Sequence, residues 1–207
     1  MKQEKLLQVI LTNSYSNYLY LYLLIILEPI NCQTSACTIR IELQEPTSPY
    51  STNSNDRFTS LYWDGNFNLN EVEVWAGSSS SSTKVPPSAL SKSLSSYYNN
   101  NANGINSCFD GNTATGCSSS LNVPYSTQRA FLTITTTTSI NINNIRVYNR
   151  IDCCGGRMRN AKISVSVGSS VVWSDQFDNN EKQDVYNFVP TSNAATSSNK
   201  CIAGMLF

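Results

Sequence analysis

The amino-acid sequence predicts an all-β protein, an antiparallel β-sandwich, and three observations support this fold class. Short bursts of alternating apolar and polar residues recur from residue 38 onward. Stretches rich in Ser, Asn and Gly separate them, notably residues 77–83 and 98–106, which are predicted to be exposed loops. Lys and Glu are scarce, and no segment shows a convincing helical pattern. About seven strands in two packed layers are the economical arrangement.

The predicted strands follow one another along the chain. Ile39, Ile41 and Leu43 form the first alternation, and residues 161–167 form the cleanest one. Side chains at every second position point to the same face, so each such strand has one buried face and one exposed face. The predicted strands are 38–43, 71–75, 130–134, 144–149, 161–167, 171–173 and 185–189.

Targeting and domain boundaries follow from composition. Residues 1–36 are predicted to be a signal peptide and short leader, because the apolar run at 18–27 has ten residues and is too short to span a bilayer. A buried strand or a signal anchor is the alternative. The sandwich is predicted for residues 37–190 and a tail of uncertain order for residues 191–207. A secreted protein is expected, and seven cysteines suit an oxidising compartment.

Charge and histidine content exclude several function classes. Fourteen basic and fourteen acidic residues balance, which does not favour nucleic-acid partners or membrane insertion. With no histidine, the chain has no Ser-His-Asp triad, Cys-His dyad or histidine-bound metal. We therefore expect no enzyme. A glycoside hydrolase that pairs Asp110 with Asp152 is the least favoured alternative, since one carboxyl group would need a raised pKa.

The segment 149–157 (NRIDCCGGR) is the most informative part of the sequence, because it directly follows a predicted strand and therefore forms a loop. Arg150 and Arg157 each offer a planar fork of donors that can hold adjacent hydroxyls. A bond between Cys153 and Cys154 would join Cα atoms only about 3.8 Å apart, so it would be strained and would fix the loop. Bridges to other cysteines and simple surface salt bridges are the alternative.

This segment resembles the N-R-x-D-C-C-x-x-R motif of the fucolectins, a branch of the discoidin-like family that includes the coagulation factor V/VIII type C domains. The segment 107–120 (SCFDGNTATGCSSS) resembles the family's D-G-N loop, and 89–94 (ALSKSL) resembles its opening strand. The match covers roughly residues 85–170. The resemblance implies a jelly-roll lectin that binds a fucose- or galactose-type sugar without catalysis.

In that family the two arginines hold the sugar hydroxyls and a vicinal disulfide contacts the ring. The resemblance therefore implies sugar contacts by Arg150, Arg157, Cys153 and Cys154. One departure concerns the third contact, a histidine two residues after the family's cysteine. Ser119 stands at that position, and serine is too short to reach as far as an imidazole. A changed sugar specificity is expected.

The resemblance also implies a structural calcium ion as cofactor. Hard oxygen ligands of mixed type suit Ca²⁺, and its role would be to pin the loop that carries Ser119 beside the arginine loop. Ordinary turn chemistry of Asp-Gly and Asn residues is the alternative. Carboxylates would come from Asp110 and Glu71, and mainly carbonyl oxygens from Ser107, Asn112, Gly116 and Asn70.

The strands that close the family's domain are found here at the front of the chain. Segments 38–43 and 68–74 match them, which suggests a circularly permuted domain or, less favoured, the tail of a preceding repeat. The family's partner for Cys117 corresponds to Asn70, so the resemblance implies a local Cys108–Cys117 bridge. A bridge from Cys37 to Cys201 is a further conjecture.

The sequence also bears on the partners of the protein and on an alternative function. Single sugar sites bind weakly, so a homo-oligomer or multivalent assembly is expected. The runner-up is a non-catalytic discoidin module for cell adhesion that binds phospholipid or protein through apolar loop tips. Its candidate residues are Leu61, Tyr62 and Trp63.

Overall fold

Eleven β-strands and four short 3-10 helices make up the regular structure of the residues that the computed structural model describes, namely 36–44, 65–78, 80–119, 129–178 and 183–190. The strands are β1 (Cys37–Glu42), β2 (Asn68–Leu69), β3 (Glu71–Ser78), β4 (Ser81–Lys84), β5 (Leu90–Leu94), β6 (Cys117–Ser118), β7 (Phe131–Thr136), β8 (Ile142–Tyr148), β9 (Lys162–Val167), β10 (Ser170–Gln176) and β11 (Val185–Phe188). The 3-10 helices span Pro87–Ala89, Tyr98–Asn100, Ala102–Cys108 and Gly155–Met158.

The long strands form two antiparallel sheets. One has the order β10-β9-β1-β7-β5 and the other β11-β8-β3-β4, while β2 and β6 pair by themselves. This arrangement confirms the predicted all-β sandwich.

Apolar side chains at alternating positions of the strands form the core between the two sheets. Ile39 lies in register between Ile134 and Val165 in the first sheet, and Val74 lies opposite Ile145 in the second. All five are almost completely buried and belong to one hydrophobic cluster. Burial of apolar surface at these positions is the main favourable term for the sandwich.

The strands β1 and β3 lie inside the two large sheets. β1 is flanked by β9 and β7, and β3 is flanked by β8 and β4. Removing either strand would split a sheet and leave unpaired backbone groups beside the core. Both strands are therefore integral to this domain, whereas their permuted order relative to the fucolectins stays a prediction from the resemblance.

Both predicted loops were wrong in part, since 98–106 contains the 3-10 helix Tyr98–Asn100 and most of the 3-10 helix Ala102–Cys108. Residues 81–83 of the predicted loop 77–83 belong to β4 (Ser81–Lys84), which pairs with the end of β3. Gly77 permits this hairpin because its φ is +126°, and a Cβ there would lie 2.3 Å from the Ser81 carbonyl oxygen. The polar edge strand carries no apolar alternation, so periodicity could not reveal it.

Residues 1–35 of the predicted leader (1–36) and the whole predicted tail (191–207) lie outside the described residues. Within the described part of the chain, no helix is long and apolar enough to cross a membrane.

Candidate functional site

A cleft of about 520 Å³ opens where β2, β6 and the end of β8 meet. Its position follows from register, since Glu71 at the start of β3 pairs with Tyr148 at the end of β8. The Asn70 amide also donates to the Tyr148 carbonyl at 3.0 Å. The loop after β8 is thereby held beside the loop before β6. The residues around the cleft are Asn68, Asn70, Thr113, Ala114, Thr115, Gly116, Ser118, Arg150, Ile151 and Asp152.

Arg150 and Asp152 form a two-point ion pair at the cleft. Arg150 Nε donates to Asp152 Oδ1 at 2.6 Å, and Nη2 donates to Oδ2 at 2.9 Å. Hydrogen bonding from Arg150 lowers the pKa of Asp152 to about 2. The pair is therefore charged throughout the neutral range, and the carboxylate fixes the plane of the guanidinium.

Asn149 anchors the loop that carries this pair. Its buried side-chain amide donates to the Gly155 carbonyl at 2.9 Å and to the Gln183 carbonyl at 3.0 Å. Its own side-chain oxygen accepts the Arg150 amide at 2.9 Å. One side chain thus ties both ends of the loop to the approach to β11, so Arg150 is held on a defined backbone.

Two predicted sugar contacts lie elsewhere. Arg157 is buried at 7% exposure in a 3-10 helix and is not among the residues around the cleft. Ser119 is 1% exposed, and its hydroxyl accepts the Phe67 amide at 2.9 Å while its amide donates to the Phe67 carbonyl. Ser119 thereby joins β6 to the approach to β2, and the sugar contacts expected of Arg157 and Ser119 stay a prediction from the resemblance.

The predicted vicinal disulfide is absent. Cys153 and Cys154 are free thiols that contact each other through a side-chain hydrogen bond. Cys154 is buried with a left-handed backbone (φ 63°), and burial raises its pKa to about 11. Adjacent residues bring their Cα atoms closer than disulfides prefer, which the hydrogen-bonded thiols tolerate. Neither cysteine is among the residues around the cleft.

The predicted Cys108–Cys117 bridge is confirmed, with Cα atoms 5.4 Å apart. Cys37 is also disulfide-bonded. Its conjectured partner, Cys201, lies outside the described residues.

Oxygen atoms of the D-G-N loop converge on one hydroxyl. Thr115 Oγ1 lies 3.3 Å from the Ser107 carbonyl, 2.9 Å from the Asn112 carbonyl, and 3.1 and 2.9 Å from the two Asp110 carboxylate oxygens. A hydroxyl has one proton to donate, so it cannot satisfy four acceptors at once. The surplus of oxygen lone pairs at one point is the donor set that a hard cation prefers.

Glu71 adds a second carboxylate to this cluster. Its side chain is 1% exposed, and Oε1 accepts the Gly111 amide at 3.1 Å. Oε2 is buried without a hydrogen-bond partner among the described residues. Burial raises the pKa of Glu71 above its ordinary 4.5, and the nearby Asp110 charge acts in the same direction. A buried carboxylate oxygen without a hydrogen-bond partner destabilises the folded state, and a bound cation would offset that loss of free energy.

Asn70 and Gly116 connect the oxygen cluster to the cleft. The Asn70 side-chain amide donates to the Thr113 carbonyl at 2.8 Å. A Cβ at Gly116 would lie 2.5 Å from the Leu69 carbonyl oxygen, so glycine allows the loop to approach the strand closely. Both residues line the cleft.

The oxygen atoms of Asp110, Glu71 and the D-G-N loop are of the types that bind a calcium ion. In the described segments no three histidine, cysteine or carboxylate side chains cluster together, but the calcium set needs only the two carboxylates of Asp110 and Glu71 beside its carbonyl oxygens. When bound, such an ion would supply positive charge to those carboxylates and hold the loop in place.

Sequence reasoning missed Thr115, Asn68 and Ile151. Thr115 stands two residues before Cys117 in a loop already singled out, and its hydroxyl could have been counted with the oxygen donors. Ile151, 62% exposed, could have been noticed as an apolar residue between two charged ones. The alternative's candidates Leu61, Tyr62 and Trp63 lie outside the described residues.

Comparison with known proteins yields no match, neither to a family model, nor to a curated protein, nor to a solved structure.

Proposed function

We propose that the chain is a non-catalytic carbohydrate-binding module of the β-sandwich type. Its ligand would be a fucose- or galactose-type sugar held in the cleft beside Arg150, with calcium as a structural cofactor. The observation that carries this proposal is the Arg150–Asp152 pair set beside an exposed Ile151 in a cleft.

The geometry of Arg150 suits a polyol. Asp152 accepts from Nε and Nη2, which leaves Nη1 as the donor group with no acceptor among the described residues. A guanidinium whose plane is already fixed loses little freedom when it binds vicinal hydroxyls. Charge-assisted hydrogen bonds of this kind are stronger than those between neutral groups.

The remaining cleft walls suit the two kinds of surface that a sugar presents. Ile151 offers an apolar surface for ring C–H groups or for the methyl group of a deoxy sugar. Asn68, Asn70 and Ser118 add amide and hydroxyl groups to the lining, where Asn68 donates to Ser118 at 2.7 Å and Asn70 donates to the Thr113 carbonyl. A cleft with both surfaces favours a sugar over a purely apolar ligand.

Three features favour binding over hydrolysis. Asp152 has a pKa of about 2 and so is not suited to donate a proton at neutral pH. Its carboxylate is already engaged by Arg150 at both oxygens. The chain also has no histidine to take either catalytic part.

Calcium supports the cleft in this proposal. Ser107, Asp110, Asn112 and Glu71 would hold the ion, and Thr115 would turn its hydroxyl oxygen toward it. The loop so held carries Thr113 and Gly116 into the cleft wall. Since one site of this kind binds weakly, a secreted homo-oligomer would supply avidity.

The test is a glycan array probed with the secreted protein displayed multivalently, with Ca²⁺ and with a chelator. Arg150→Ala is the test variant and Arg129→Ala the control, because Arg129 is an exposed arginine away from the cleft. We expect fucosylated or galactosylated glycans to be retained by wild type and control, and lost in Arg150→Ala and in chelator. Folded protein that captures lipid vesicles or protein but no glycan would instead identify an adhesion module.

A further inference from the structure

Lys84 lies between two carboxylates on the outer side of the second sheet. Its Nζ is 2.9 Å from Glu73 Oε1 and 3.6 Å from Glu71 Oε1. Glu71 and Glu73 alternate with the core residues Val72 and Val74 along β3, so their side chains share the opposite face. Lys84 reaches this face from β4, where it pairs with Trp75.

The two carboxylates differ in how well they are satisfied without Lys84. Glu73 also accepts from Trp75 Nε1 at 3.2 Å and from the Tyr148 hydroxyl at 3.3 Å, and Arg146 lies 3.9 Å away. Glu71 accepts the Gly111 amide on Oε1, and within the described part of the chain its Oε2 has no hydrogen-bond partner. Of the two, Glu71 is the carboxylate whose charge balance depends more on Lys84.

We propose that Lys84 sets the calcium affinity of the Asp110–Glu71 cluster by acting as a tethered cation that shares Glu71 with the bound ion. The inference rests on the proposed calcium site. The Lys84 ammonium partly neutralises the buried Glu71 carboxylate and the half-buried Glu73 carboxylate when no calcium is bound, which lowers the free-energy cost of holding the two negative charges side by side. When calcium binds to Glu71, the same ammonium, 3.6 Å from Glu71 Oε1, repels the divalent ion.

Lys84 therefore has opposite effects on the two states. It stabilises the calcium-free protein and weakens the calcium complex, so the site would release calcium more readily than its oxygen ligands alone would allow. A residue with only a packing role would change stability in both states in the same direction. That difference in sign separates the inference from a structural role for Lys84.

The experiment measures calcium affinity by isothermal titration and melting temperature in chelator for the whole secreted protein. Lys84→Met removes the charge and keeps the length, Lys84→Arg keeps the charge, and Lys162→Met is the control at an exposed lysine on the other sheet. In Lys84→Met we expect calcium affinity to rise about tenfold, because a nearby like charge is lost. In chelator its melting temperature should fall by roughly 2–4 °C, because Glu71 and Glu73 lose a counter-ion. Lys84→Gln serves the same test if Lys84→Met does not fold.

Each outcome of these titrations either supports or overturns the role proposed for Lys84. Tighter calcium binding in Lys84→Met, with near wild-type binding in Lys84→Arg and Lys162→Met, supports the inference. Unchanged or weaker binding in Lys84→Met while wild type binds calcium overturns the inference and leaves the calcium site intact. No calcium binding by wild type or any variant overturns the proposed calcium site and this inference together, while the glycan array still tests the sugar site.

Discussion

The side-chain amide of Asn70 donates to the Thr113 carbonyl at 2.8 Å, across a separation of 43 residues. Asn70 also uses its backbone amide to hold the Tyr148 carbonyl at the end of β8. One residue thus connects the D-G-N loop to the strand that leads into the Arg150 loop. The two walls of the cleft are held together through Asn70.

Asn70→Ala is expected to weaken sugar binding more than it weakens the fold. Loss of the bond to Thr113 costs about 1 kcal/mol of folding free energy, the usual value for one hydrogen bond, but frees one wall of the cleft. Asn143→Ala is the matched control, because its side-chain amide also donates to a backbone carbonyl, that of Ser78 at the end of β3, at 3.1 Å, and neither residue is among those around the cleft. Glycan titration and urea unfolding of both variants measure the two effects. Equal loss of glycan affinity in both variants would contradict the role given to Asn70.

Gly116→Ala is expected to destabilise the protein by about 1–3 kcal/mol, the usual cost of forcing extra volume into a tight contact. The new Cβ would lie 2.5 Å from the Leu69 carbonyl oxygen and push the loop away from β2. Gly104→Ala is the control, since the nearest atom to a Cβ there is 3.6 Å away. Urea unfolding measures both, and calcium affinity should fall in Gly116→Ala alone. A stable Gly116→Ala variant with normal calcium binding would show that this close approach is not needed.

The two cysteine pairs are expected to behave differently. Replacing Cys153 and Cys154 together by Ala should leave glycan affinity within about twofold, since neither thiol is among the residues around the cleft. Replacing Cys108 and Cys117 by Ala should cost about 2–3 kcal/mol of stability, as expected for a loop closed over a separation of nine residues. Glycan titration and thermal unfolding compare the pairs. A large loss of glycan binding in the Cys153/Cys154 variant would instead favour a direct sugar contact by that pair.

Sugar affinity at saturating calcium is expected to be flat between pH 8 and about pH 5. The chain has no histidine, and Asp152, whose pKa Arg150 lowers to about 2, stays ionised over that range. A lowered carboxyl pKa means that the stabilising effect of the pair is complete above the ordinary value of 3.8 and is lost as the pH falls toward 2. Glycan binding followed across a pH series checks this. A transition centred between pH 6 and 7 would point to a titrating group other than this pair.

The sequence alone predicted those strands and that disulfide for which neighbouring residues carry a clear pattern. The alternation of Ile39, Ile41 and Leu43, or of residues 161–167, reflects a strand with one buried face, and that signal needs no knowledge of the partner strand. The Cys108–Cys117 bridge was also predicted correctly, and the Arg150 and D-G-N segments were both singled out before the structure joined them at one cleft.

Tertiary structure decided which of the singled-out side chains face that cleft. Arg157 and Ser119 lie in promising segments, yet sheet register and the 3-10 helix bury them, while Thr115 and Ile151 reach the oxygen cluster and the cleft. The sequence determined the strands with a clear apolar alternation, because their burial pattern is a property of neighbouring residues, but it did not reveal the polar edge strand β4. The site was decided only by the fold, because contacts such as that between Asn70 and Thr113 depend on the register of strands far apart in the chain.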